Sequence, residues 1–293
     1  MKIRKMLAQQ AKKGDWLFRK ATASLRLLPG FIIFGVARAG TTSLYNYLTA
    51  HPKVAKATVK EVMFFDAKFN QGMNWYKAHF PTLLFKKYSM AGEASPSYIH
   101  DPLVPQRIKA ALPKVKLIIL LRNPIDRAYS HYLYAVRAGR ETLSFETAVK
   151  LQMAERSCFE QQDVLDDPKH HQRVFHRYGY LSKSMYVNNL KRWFDTFPAE
   201  QILVLKSEDL YADSEAVVAK TLAFLELPPW TLEKYEKYNA EGQHFVLNKR
   251  TDDSNIKKYD HMSLEVRQML IEYFKPHNQA LAEFLNMELD WDK

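Results

Sequence analysis

The chain has 293 residues, 47% of them hydrophobic and 26% charged, with only nine glycines, the balance of an ordinary globular protein rather than a disordered or fibrous one. No apolar run approaches the ~20 residues of a membrane-spanning helix, and the single cysteine, Cys158, rules out an intrachain disulfide and fits a reducing, cytoplasmic compartment. A formal charge of +11 draws anionic partners, yet zinc-finger spacing, RNP-like aromatics and basic-region heptads are missing, so nucleic acid is not the expected one.

Residues 1–28 set Lys2, Arg4, Lys5, Lys12, Lys13, Arg19, Lys20 and Arg26 against Asp15 alone, interleaved with Trp16, Leu17, Phe18 and Leu25. This predicts a basic helical segment that either makes a peripheral contact with an anionic membrane or packs on the domain. Charges interrupt any secretory apolar stretch, so no signal peptide is expected. Pro29-Gly30 closes the segment, and residues 29–293 are read as one domain because no linker, repeat or low-complexity tract follows.

Phe31 to Val36 reads as an apolar strand that runs into Gly35-x-x-Arg38-Ala39-Gly40-Thr41-Thr42-Ser43. The two glycines have the spacing of a phosphate-binding loop, whose backbone N–H groups and following helix can cradle an anion. Thr41 stands where a nucleotide-hydrolysing enzyme carries lysine, and Arg38 is the only cation in the turn. Thr42 to Ala50 is the helix that follows, Lys53 to Ala57 is a short extended piece, and a helix is expected around Asn74-Trp75-Tyr76. A strand from Tyr88 ends at Gly92-Glu93-Ala94, and Pro102 to Leu112 is helical.

Val115 to Leu121 is apolar on both faces, as a buried parallel strand must be. Pro124 then opens a helix containing Arg127, Ser130 and His131. Tyr180 to Phe197 is expected to be helical, Gln201 to Leu205 a strand, Ser214 to Leu225 a helix, Asn239 to Tyr259 irregular, and Ser263 to Leu285 a long helix. Strands alternating with helices imply a three-layer α/β fold around a mostly parallel sheet. Ligands of such a sheet bind beyond the carboxyl ends of the strands, where Gly35, Glu93 and Arg122 all fall.

The ordered set Gly35-x-x-Arg38-x-Gly40-Thr41-Thr42-Ser43, Lys60-Glu61-x-x-Phe64-Phe65 and Arg122-Asn123-Pro124-x-x-Arg127-Ala128-Tyr129-Ser130-His131-Tyr132 resembles the sulfotransferases that use 3′-phosphoadenosine 5′-phosphosulfate (PAPS). The likeness is closest to the heparan-sulfate type and its bacterial relatives. Glu208-Asp209-Leu210 and Lys275-Pro276-His277-Asn278 agree with it.

The resemblance implies that Arg38, Ala39, Gly40, Thr41, Thr42 and Ser43 hold the 5′-phosphosulfate, and that Arg122 and Ser130 hold the 3′-phosphate. Lys249 and Arg250 would belong to a late basic loop that closes over the nucleotide, and Glu61 would be the general base. The product is then 3′-phosphoadenosine 5′-phosphate, and no metal is required. The chemistry asks for the same parts: a carboxylate to take the acceptor proton, and cations such as Arg38 and Lys60 for charge growing on the leaving oxygen.

Glu93, Ser95, Phe65 and His131 are candidates for the acceptor side. His131 and His51 are rival bases, but His131 is read as packing or hydrogen-bonding beside the 3′-phosphate pocket and His51 as ending the helix after the loop, while His170-His171 reads as solvated rather than as half a metal site. Arg38 in place of the family's usual lysine changes a point cation into a planar fork. Ala94 stands where glycosaminoglycan enzymes usually place lysine, and the late loop lacks their cysteine pair. These departures point to a hydroxyl on a small molecule, a simple saccharide or a lipid-linked group as acceptor. The competing readings are a phosphate-loop kinase or nucleotide hydrolase, which needs the missing lysine, and a non-catalytic binder of acidic polymers.

Overall fold

Strands β1 (Pro29–Gly35), β2 (Val54–Lys56), β3 (Met90–Ala94), β4 (Lys116–Leu121) and β5 (Ile202–Lys206) form one sheet in the order β2-β3-β1-β4-β5. Every pairing is parallel. β1 lies in the centre, and Phe31, Ile32, Ile33 and Phe34 along it are fully buried. Their unbroken apolar run is what a strand covered on both faces requires. The expected parallel α/β architecture is the one observed.

The computed structural model describes residues 14–83, 87–154, 179–236, 238 and 262–291. The chain forms two compact units, residues 1–121 with 192–242 and residues 122–191 with 243–293. The sequence reading keeps residues 29–293 as one domain because it finds no repeat, low-complexity tract or clear linker.

The first unit holds the whole sheet. Its helices before β4 are α1 (residues 14–21), α2 (Thr41–Ala50), α3 (Met73–Lys77) and α4 (Val104–Ala111). α1 packs through Trp16, whose ring lies 6.0 Å from Trp75 and 4.8 Å from His79. Arg19 and Arg26 donate to the carbonyls of Ala78 and Phe80 at 3.1 and 2.9 Å. The described part of the basic segment therefore packs on the sheet unit, while Leu17 and Phe18 stay exposed at 67% and 64%.

Helix α5 (Pro124–Arg137) begins the second unit, followed by α6 (Phe145–Ala154). Asn123 caps α5 by accepting from the N–H groups of Ile125 and Asp126 at 2.9 and 3.4 Å, which satisfies two of the amides a helix start leaves open. Sequence periodicity predicts a continuous helix from Tyr180 to Phe197. The structure has instead a 3-10 turn at Ser182–Ser184 and then α7 (Val187–Thr196). Ser184 Oγ donates to the Tyr180 carbonyl at 2.9 Å, and Arg127 reaches the same oxygen at 3.3 Å, so side chains take the acceptor that a regular helix would use.

In the first unit α8 (Ser207–Ala212) and α9 (Ser214–Phe224) follow β5, and in the second α10 (Leu264–Leu285) closes the chain. Tyr132, Phe145, Tyr180, Leu270 and Phe274 build the second unit's core.

One contact in the sheet leaves no room for a side chain. Gly92 pairs with Phe31, and a Cβ on Gly92 would fall 2.1 Å from the Phe31 ring. Gly92→Ala is expected to cost about 1–3 kcal/mol through overpacking. The check is a lower urea midpoint at unchanged m.

Candidate active site

The phosphate-binding loop is built where β1 meets α2. Val36 N–H donates to Leu120 O at 2.8 Å and Ala39 N–H to Val36 O at 3.2 Å, which closes the turn. Gly40 is the N-cap residue at φ 89°, with no side chain to cap the helix. The N–H groups of Thr41, Thr42 and Ser43 have no carbonyl one turn back within the helix. Partial positive charge at that terminus favours an anion.

A Cβ on Gly40 would also sit tightly, 3.0 Å from the Tyr211 hydroxyl and 3.1 Å from Leu210, on a left-handed backbone that favours glycine. Ser43 is buried, and its Oγ accepts from Tyr238 N–H at 3.1 Å. Ala39 and Thr41 are likewise buried, whereas Arg38 and Thr42 are partly exposed. Arg38 adopts φ 76°, in the left-handed region.

Glu61 sits on a neighbouring loop of the same unit. Its carboxylate is 3.4 Å from Lys60 Nζ, with the two side chains 38% and 20% exposed. Burial pushes the Lys60 ammonium below its usual value, and Glu61 acts in the opposite direction. Just beyond Glu61, Met63 N–H donates to Ser95 Oγ at 3.0 Å. Ser95 N–H in turn donates to Ile33 O on β1 at 3.0 Å. The Glu61 loop is thus fastened to the carboxyl end of β3, the strand beside β1, whose own carboxyl end opens into the phosphate-binding loop.

The residues proposed for the acceptor side are placed differently from the sequence expectation. Glu93, Ser95 and Phe65 are completely buried. Glu93 accepts hydrogen bonds from Tyr76, Ser95 and Tyr98, and Phe65 packs against Tyr76 and Tyr98 with ring centroids 5.0 and 5.9 Å apart. Their side chains support the loop that carries Glu61; none faces an open acceptor pocket.

His51 ends α2 as its C-cap residue, as the sequence reading has it. Its Nδ1 accepts from Lys53 N–H at 3.1 Å, so Nε2 carries the proton and donates to Pro228 O at 3.2 Å.

Residues 28–282 match the sulfotransferase domain family. The chain belongs to the sulfotransferase family. It is 25% identical to the membrane-associated sulfotransferase kil1 of Dictyostelium discoideum, over 91% of this chain and 67% of that protein. It is 28% identical to human heparan sulfate glucosamine 3-O-sulfotransferase 5, over 94% of this chain and 80% of that one. By contrast it spans only 30% and 31% of the length of the bifunctional heparan sulfate N-deacetylase/N-sulfotransferases 1 of Caenorhabditis elegans and Caenorhabditis briggsae. The crystal structure of a sulfotransferase from Alicyclobacillus acidocaldarius aligns with a TM-score of 0.64 at 27% identity, covering 91% of this chain and 99% of that one.

The enzyme's chemistry is therefore sulfonyl transfer. Among the described residues no three His, Cys, Asp or Glu side chains gather as a metal site, and no helix is long and apolar enough to cross a membrane.

In the sulfotransferase's second unit the Arg122 to Tyr132 motif divides into two groups. Asn123 caps α5 and donates to Trp291 O at 3.3 Å, Arg127 is buried against Tyr180 O and Ser184 Oγ, and Tyr132 donates to Leu143 O at 2.9 Å. These residues hold the unit together. Arg122 is fixed through its backbone, its carbonyl accepting from Tyr186 at 2.9 Å, and Ser130 is buried one helical stretch further on. His131 lies edge-on to Tyr180, ring centroids 5.0 Å apart. Lys249, Arg250, Cys158 and His170-His171 lie outside the described residues.

Sequence reasoning gives Tyr98 no role, and it reads Tyr76 as core, where it is fully buried. The signal was present for Tyr98, which follows Glu93 by five residues in a strand-to-turn segment, but a lone tyrosine there reads as core.

Proposed function

We propose that the enzyme moves a sulfonate from PAPS to a hydroxyl, or an amine, of a saccharide or other small acceptor, with Glu61 as general base. The observation that carries this reading is the fastening of the Glu61 loop to β3 beside the phosphate-binding loop of β1. The residues present suit the sulfonate donor: an uncapped ten-residue helix, a glycine at its N-cap and one arginine in the turn offer amides and a cation to a doubly charged phosphosulfate.

PAPS supplies an activated sulfonate whose S–O bond to the 5′-phosphate breaks as the acceptor oxygen bonds to sulfur. Glu61 takes the acceptor's proton in that step. Lys60 and Arg38 provide positive charge for the phosphate oxygen that departs. In-line transfer needs the acceptor oxygen and the leaving oxygen on opposite sides of sulfur, which two separate loops, one bearing the base and one the phosphate amides, can provide.

For Arg122 and Ser130 the support is the motif alone, which resembles the 3′-phosphate grip of the family, and Lys249 and Arg250 are assigned to the closing loop on the same ground. The human relative is named for the glucosamine of heparan sulfate. Here Ala94 replaces the lysine expected beside Glu93, which favours a less highly charged acceptor, such as a simple saccharide, a small molecule or a lipid-linked hydroxyl. Exposed Leu17 and Phe18 beside Lys20, and a relative named as membrane-associated, support a peripheral membrane contact through residues 1–28, and the single cysteine favours a reducing, cytoplasmic compartment.

Thermal-shift titration tests the nucleotide. 3′-Phosphoadenosine 5′-phosphate is expected to raise Tm without Mg²⁺, and Arg122→Ala to weaken that binding by ~1.5–3 kcal/mol, the scale of a charge-assisted hydrogen bond. A response to Mg·ATP alone would sink the assignment, and an Arg122→Ala variant with native affinity would remove the 3′-phosphate role. A screen of hydroxyl and amine acceptors with isotopically labelled PAPS identifies the product.

A further inference from the structure

Glu93 is the last but one residue of β3, and its carboxylate is completely buried. An ionised carboxylate can only accept hydrogen bonds. Here it receives three: from Ser95 at 2.8 Å and Tyr98 at 2.7 Å on Oε1, and from Tyr76 on Oε2. Each hydroxyl is thereby committed as a donor toward Glu93, and its lone pairs face outward as acceptors.

Two of the three use that capacity on consecutive amides. Ser95 Oγ accepts from Met63 N–H at 3.0 Å, and the Tyr98 hydroxyl accepts from Phe64 N–H at 2.8 Å and from Phe65 N–H at 3.2 Å. Arg107 holds the next carbonyl, Phe65 O, at 2.6 Å. The three amides start two residues after Glu61. Hydroxyls polarised by a carboxylate in a low-dielectric core are stronger acceptors than isolated ones.

We infer that Glu93 is a positioning residue for Glu61: through Ser95 and Tyr98 it fixes the backbone of residues 63–65 and so sets where the Glu61 carboxylate stands relative to the phosphate-binding loop. This rests on the reading of Glu61 as the base. Burial raises the Glu93 carboxyl above its usual range while its three hydroxyl donors pull it back, consistent with a group that serves as an internal anchor.

A double-mutant cycle tests it. Tyr98→Phe keeps the buried ring but deletes the hydroxyl that joins Glu93 to Phe64 and Phe65. In the native background it is expected to lower kcat about tenfold, as a small misplacement of a catalytic group does, with the KM for PAPS changed less than about twofold. In a Glu61→Gln background, where no base remains to be positioned, the same change should alter kcat less than about twofold. Equal falls in both backgrounds, or no fall in the native one, would overturn the inference and leave the base assignment standing. A near-native rate for Glu61→Gln alone would overturn the base assignment and this inference with it.

Glu93→Gln serves as the conservative control. Its Oε1 still accepts from Ser95 and Tyr98, so kcat should stay within about threefold of native, the residual loss reflecting a neutral acceptor in place of a charged one. A fall of a hundredfold or more at unchanged Tm would mean that the Glu93 charge acts on the chemistry directly, and would overturn the positioning role.

Discussion

Glu61→Gln is expected to slow sulfonyl transfer by ~10²–10⁴, the usual worth of a general base, while 3′-phosphoadenosine 5′-phosphate binds within about twofold of native affinity. Glutamine keeps the size and the polar end of the side chain but cannot take the acceptor proton at neutral pH. The phosphate-binding loop is anchored by its own bonds, Val36 to Leu120 and Ala39 to Val36, so nucleotide affinity should survive.

A second consequence falls on Lys60. Glu61 is the group that raises the Lys60 ammonium against its burial, so losing that carboxylate lowers the Lys60 pKa further. Lys60 deprotonates as pH rises, and the residual activity of the variant should therefore fade at a lower pH than the native enzyme's alkaline limb. The measurement is kcat against pH for both proteins at saturating PAPS. Near-native turnover would move the base elsewhere. His51 would not be the replacement, because both of its ring nitrogens are already bonded.

Much of this site is legible from the chain because its phosphate-binding half is local. Gly35, Arg38 and Gly40 lie within six positions, and the strand before them and helix after them are continuous in sequence, so spacing alone specifies the turn. The same holds for Asn123 and Pro124, an N-cap and a first-turn proline that mark the start of α5.

What the sequence conceals is the non-local half. Glu93 and Ser95, at the end of a β-strand, look like residues offered to a ligand. Their actual partners are Tyr76, seventeen positions before Glu93, and the amide of Met63, thirty-two before Ser95. Neither contact shows in the spacing, because each joins the carboxyl end of β3 to a segment well before it in the chain. Two helices were also unforeseen. α8 starts directly after β5 with no loop to announce it, and α6 is a short helix in a stretch whose only start signal is Ser144, bonded to Thr147 N–H at 3.2 Å. The division between the two units has no linker to mark it: β4 ends at Leu121 and α5 starts at Pro124, with only two residues between them.

Arg38→Gly should separate stability from activity. At φ 76° a residue with a Cβ carries about 1–2 kcal/mol of steric cost, which glycine does not. Glycine gives back roughly 0.5–1 kcal/mol through the larger entropy of its unfolded chain. The variant should therefore fold with unchanged or slightly higher stability in urea. Its kcat should nevertheless fall by ~10²–10³, the cost of removing one fixed group that stabilises charge developing in the transition state.

Arg38→Lys keeps the positive charge and the left-handed strain but replaces a planar fork of donors with a single ammonium. If Arg38 acts as a point cation, lysine should restore most of the rate lost in glycine; if its fork bridges two oxygens of the leaving phosphate, lysine should recover only part. Loss of stability together with activity in Arg38→Gly would show that the arginine holds the loop in shape, and the strain at this turn would then belong to folding rather than to catalysis.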